Sequence, residues 1–83
     1  MAYGIILSPE FINRIEKLQK NLQKGILRKI TILKTSPEYG KALHGPLKGI
    51  WELKLGKLRI FYTIDHDKRI VRLVSVDFRG KLF

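Results

Sequence analysis

Glu52, Lys54 and Arg59 fall within a single eight-residue window of this chain, and their side-chain types are those of acid–base and phosphate chemistry. A carboxylate can take a proton from an attacking hydroxyl. An arginine fork grips two phosphate oxygens and keeps its charge, and a lysine adds a compact cation for developing negative charge. What brings them together is the stretch Gly49 to Ile64, GIWELKLGKLRIFYTI, in which apolar and polar residues alternate on both sides of Gly56-Lys57. That is the pattern of two strands joined by a two-residue turn, and glycine in the first turn position suits type II′.

A two-residue turn sets the register: Leu55 opposite Leu58, Lys54 opposite Arg59, Leu53 opposite Ile60, Glu52 opposite Phe61 and Trp51 opposite Tyr62. Opposed residues share a face and successive residues alternate. Trp51, Leu53, Leu55, Leu58, Ile60 and Tyr62 therefore make an apolar face, with Trp51 and Tyr62 read as core. Glu52, Lys54, Arg59 and Phe61 make the other. Like charges directly opposed on a strand pair cost from a few tenths to about 1 kcal/mol, so the pairing of Lys54 with Arg59 predicts an anionic group beside them. The competing reading is of two long solvated side chains splaying apart.

The rest of the chain bounds what such a face can serve. Eighty-three residues make one domain, residues 1–83. A chain of this size buries only a little over ~60% of its unfolded surface, so a tight partner is expected to add to its stability. The absence of cysteine excludes disulfides, thiolate chemistry and cysteine metal sites. His44 and His66 lie too far apart to suggest a metal centre, and no metal or cofactor is expected. Ile5-Ile6-Leu7 is far too short for a signal peptide or membrane span, which points to the cytoplasm. The 17 Lys and Arg against 7 Asp and Glu give a net charge of +10, favouring a polyanionic partner, nucleic acid or a strongly acidic protein. The excess is spread evenly along the chain, so it belongs to a folded surface rather than a basic tail.

In chain order, residues 3–7 read as a short strand. Ser8-Pro9-Glu10 is a helix start, with Ser8 as N-cap, Pro9 at the first helical position and Glu10 near the positive end of the dipole. Phe11, Ile15, Leu18 and Leu22 form an apolar stripe, and after a break near Lys20-Asn21 a second stripe runs Leu22, Ile26, Ile30, Leu33, widened by Leu27. Ser36-Pro37 ends this helix. Residues 38–49, rich in Gly and Pro, read as a surface connector of ordered-to-mobile character. A third strand follows the hairpin from Arg69 to Asp77. Its expected register puts Ile64 opposite Arg69, Tyr62 opposite Val71, Phe61 opposite Arg72 and Arg59 opposite Val74, bringing Arg72 beside Lys54 and Arg59. The fold class is α+β, in the order β-α-α-β-β-β: a mostly antiparallel sheet with a helix pair on one face and basic residues on the other.

The run from Leu43 to Tyr62, LHGPLKGIWELKLGKLRIFY, resembles the L-x-G-…-G-x-W-x-L-x-x-G-x-x-R-x-x-Y signature of the RelE/ParE toxin superfamily. The ending VSVDFRGKLF resembles that family's terminal V-G-H-R-x-x-V-Y. The element order is also the family's, so the resemblance covers the whole chain.

The resemblance implies a RelE-like toxin of a type II toxin–antitoxin pair: a ribosome-dependent endoribonuclease that cleaves mRNA in the A site by attack of the ribose 2′-OH on the adjacent phosphate, inhibiting translation. It also implies three partners: a cognate acidic antitoxin of the RelB type, the ribosome and mRNA. Lys54, Arg59 and Arg79 match the family's catalytic positions. Glu52 stands where a basic residue is expected, and Phe83 where the family ends in Tyr. In-line attack needs proton removal and stabilisation of a phosphorane. Arg59 and Arg79 are the candidates for the phosphate, Lys54 for charge stabilisation or proton transfer, and Glu52 for the general base. Lys48, Lys57, Arg72 and Lys81 are candidate RNA contacts, and Phe61, on the basic face, is left open between core and base stacking. Two alternatives remain: a ParE-like inhibitor of DNA gyrase, or a non-catalytic basic RNA- or protein-binding module.

Overall fold

The computed structural model describes residues 2–78. A first strand β1 (Gly4–Leu7) leads into helices α1 (Pro9–Glu16) and α2 (Lys20–Thr35). Then come a short edge strand β2 (Lys41–Ala42) and the strands β3 (Trp51–Leu55), β4 (Leu58–Asp65) and β5 (Ile70–Phe78). The sheet order is β1-β5-β4-β3-β2, with β1 parallel to β5 and every other pair antiparallel. This is the expected α+β architecture with one strand added, because Lys41 and Ala42 pair with Glu52 and Trp51 at the edge of β3.

The β3–β4 hairpin has the register its turn dictates, from Leu55 opposite Leu58 to Trp51 opposite Tyr62. Gly56 takes φ +59, and Lys57 is not among the residues of positive φ, as a type II′ turn requires. The β4–β5 register departs from expectation. His66 to Arg69 form a four-residue turn in which Asp65 Oδ1 accepts from Lys68 N at 3.0 Å and Arg69 takes φ 56, so Asp65 rather than Ile64 closes the ladder, opposite Ile70. Tyr62 then faces Leu73, Thr63 faces Arg72, and a bulge shifts the partners again so that Phe61 faces Ser75 and Arg59 faces Asp77. Val74 is the extra residue.

Ser8 anchors this irregularity to the first helix. Its Oγ accepts from Phe11 N at 3.0 Å, the expected N-cap, and donates to Val74 O at 2.7 Å. The core lies between the helices and one sheet face: Phe11, Ile26, Ile30 and Leu33 meet Leu53, Leu58, Ile60, Tyr62, Val71, Leu73 and Val76. Leu27 does not widen the stripe. It sits one position round the helix from Ile26 and is exposed. Gly25 lies inside α2, and a Cβ there would stand 3.0 Å from Leu55 Cδ2, so the bare backbone lets β3 approach. The connection at 17–19 is held instead by Gln23, whose Nε2 donates to Ile15 O and Leu18 O.

The connector 38–49 is more structured than its composition suggests. It contains β2 and single helical turns at 37–39 and 45–47. Tyr62 ties it down, its buried hydroxyl donating to Pro37 O and accepting from Gly40 N, both at 2.9 Å. No described helix is long and apolar enough to cross a membrane.

Candidate functional site

The sheet face turned away from the helices carries the candidate residues. Alternation along β3 and β4 puts Glu52, Lys54, Arg59 and Phe61 on it, and the edge strand adds Lys41 opposite Glu52. Lys54 is exposed, and Arg59 and Phe61 are partly buried.

Arg59 is the centre of this face. Its Nη1 donates to Glu52 Oε2 at 3.3 Å and its Nη2 to Asp77 Oδ2 at 3.2 Å. Its guanidinium carbon lies 5.5 Å from the centre of the Phe61 ring, within cation–π range. Nε is enclosed and, among the described residues, has no hydrogen-bond partner. The anionic group predicted beside Lys54 and Arg59 is therefore supplied by the chain itself, twice. Phe61 also lines a shallow, mostly apolar pocket with Leu43, Leu47, Ile50, Val74 and Ser75.

The other candidates are dispersed. Arg72 faces Thr63 rather than Phe61, four residues along β4 from Arg59, or about 13 Å of strand rise, so it does not join Lys54 and Arg59. Lys57 occupies the hairpin turn and Lys48 follows the helical turn at 45–47, both exposed. Arg79, Lys81 and Phe83 lie outside the described residues. His66 finds a carboxylate only through tertiary structure: its Nε2 lies 3.2 Å from Glu38 Oε2, and Tyr3 Oη lies 2.7 Å from its Nδ1. Among the described residues, no group of three or more His, Asp or Glu is placed to hold a metal ion.

Asp77 is the residue that sequence reasoning missed. Its sign carried a usable signal, since an acid opposite Arg59 is a better cross-strand pair than the valine expected there.

Comparison with solved structures places the fold. The toxin–antitoxin complex RelBE of Mycobacterium tuberculosis contains a chain that superposes with TM-score 0.87 at 23% identity, over 95% of this chain and 100% of that one. A chain of the archaeal RelE–RelB complex of Pyrococcus horikoshii gives 0.81 at 18%, over 98% and 99%. The isolated RelE toxin of E. coli gives 0.81 at 21%, over 96% and 87%. Among curated proteins none matches. The family model described as the ParE toxin of the type II toxin–antitoxin system parDE matches residues 5–83. By this match, which spans nearly its whole length, the chain belongs to the ParE toxin family of the RelE/ParE superfamily.

Proposed function

We propose that this toxin cleaves mRNA in the ribosomal A site and is held inactive by a cognate acidic antitoxin. The observation that carries the reading is Arg59, a partly exposed guanidinium on an open sheet face with a carboxylate, Glu52, in contact and a second cation, Lys54, directly opposite.

The chemistry follows from those groups. The ribose 2′-oxygen forms a bond to phosphorus as its proton passes to Glu52, and the bond from phosphorus to the 5′-oxygen of the next nucleotide breaks as that oxygen takes a proton from the Lys54 ammonium. Arg59 and Lys54 hold the extra negative charge of the phosphorane. Arg79 is assigned a share of the phosphate contact by its match to the family motif. Lys48, Lys57, Arg72 and Lys81 contribute sequence-independent attraction to the backbone. The solved complexes of similar fold contain RelB-type antitoxins, and a net charge of +10 suits an acidic partner.

A second reading, inhibition of DNA gyrase, is favoured by two observations. The matching family model is that of the ParE toxin, and Arg59 is already neutralised by two carboxylates. The deciding experiment is primer extension on a defined mRNA in a reconstituted translation system, with the native chain beside an Arg59→Ala/Arg79→Ala double variant and a gyrase supercoiling assay in parallel. Cleavage ends within A-site codons, lost in the double variant, support the ribonuclease. Intact mRNA with inhibited supercoiling supports the gyrase reading. Salt-sensitive RNA binding without either effect reduces the chain to a binding module.

A further inference from the structure

Arg59 holds its two carboxylates unequally. Glu52, bonded at 3.3 Å, has a side chain only 10% exposed, whereas Asp77, bonded at 3.2 Å, is 52% exposed. Each carboxylate takes a single terminal nitrogen, so neither makes the parallel two-bond pairing that gives arginine its strongest grip. The Asp77 contact therefore belongs with solvent-exposed ion pairs, which are weak and easily screened. The Glu52 contact does not, because removing its partner would strand a largely buried charge.

We infer that Asp77 is a built-in stand-in for substrate phosphate on Arg59. A phosphodiester entering this face displaces Asp77 from Nη2, while Glu52 remains on Nη1 and keeps the guanidinium aimed. The register supports the assignment. The bulge at Val74 delivers Asp77 opposite Arg59, on the same face of the sheet. Asp77 then weakens binding of every anion at Arg59, and the toxin works against its own competing carboxylate. The inference rests on the reading above only in naming an RNA phosphodiester as the anion.

The test is fluorescence anisotropy of a short 2′-O-methyl single-stranded RNA, which lacks the attacking hydroxyl and cannot be cut, with the full chain at low and moderate salt. Asp77→Asn should tighten binding about two- to five-fold, the range set by an exposed ion pair. Asp77→Ala should do the same. Asp67→Asn, in the β4–β5 turn, removes an equal charge and should gain distinctly less. The Asp77→Asn gain should vanish in an Arg59→Ala background. An equal gain from Asp67→Asn, a gain that survives Arg59→Ala, or no gain at all overturns the inference. Primer extension reads the other reading separately: absence of A-site cleavage with the Asp77–Arg59 coupling intact removes the ribonuclease and leaves the displaced carboxylate standing.

Discussion

The Tyr62 hydroxyl lies 2.9 Å from the backbone nitrogen of Gly40, a bond between the far end of the β3–β4 ladder and the segment that brings β2 to the sheet edge. The same oxygen donates to Pro37 O, so one phenol closes both ends of a backbone turn. Tyr62→Phe removes both bonds, leaving one donor and one acceptor to find new partners. It is expected to lower stability by about 1–3 kcal/mol, measured by urea unfolding at neutral pH.

Burial holds the Tyr62 phenol above its ordinary value of 10.0, the hydrogen bond from Gly40 opposes this, and the Glu38 charge adds to it. A group whose folded pKa is raised contributes stability that is complete below its unfolded pKa and is lost as pH rises toward and through the folded value. Unfolding free energy should therefore fall as pH climbs above about 10. Tyr62→Phe should flatten that alkaline decline, as read from urea midpoints between pH 8 and pH 11.

Gly40 has no room for a side chain. A Cβ there would meet Glu52 O at 2.6 Å and the Tyr62 hydroxyl at 2.7 Å. Gly40→Ala should destabilise by about 1–3 kcal/mol through forced displacement of the edge. Amide hydrogen exchange should show faster exchange at Lys41 and Ala42 than in the native chain, with β4 and β5 unaffected.

Ser8 serves two elements through one hydroxyl, capping α1 and bonding Val74 O at the bulge. Ser8→Ala should cost about 0.5–2 kcal/mol from the cap, with a further loss from the stranded carbonyl. Thermal unfolding checks the magnitude. Glu38→Gln, which breaks an exposed contact to His66, should change stability by less than about 1 kcal/mol.

Glu52 and Arg59 should behave as a coupled pair. Arg59→Ala alone leaves the mostly buried Glu52 without this ion-pair partner, and the double variant with Glu52→Gln should recover part of the loss, a coupling of about 0.5–3 kcal/mol by unfolding measurements. In cleavage assays, Arg59→Ala should lower the rate about 10²–10³-fold, as expected for removing a group that stabilises transition-state charge. Glu52→Gln should also slow cleavage if Glu52 is the base. Full activity in Glu52→Gln would limit that residue to holding Arg59.

What the sequence determined by itself is the part governed by near neighbours. The helix start at Ser8-Pro9, the helix end at Ser36-Pro37, the β3–β4 register and the two faces of the sheet all follow from turn chemistry and alternation within a few residues. The same local rules place Lys54 opposite Arg59. Tertiary structure decided the pairing of β4 with β5. Arg69 in a left-handed conformation and the bulge at Val74 move the partners, and near Tyr62 the shift is by two residues. From Tyr62 to Asp65 the two-residue slip leaves every side chain on its original face, so hydrophobic pattern is blind to it there, whereas beyond the bulge the shift is three residues and turns Val76 into the core and Asp77 onto the face of Arg59. Burial of Val71 and Leu73 is satisfied in either register. Only the assembled sheet, with Ser8 bonded to Val74 and β1 bonded to Arg69 O through Gly4 N, selects the one that sets Asp77 against Arg59 and carries Arg72 away from it.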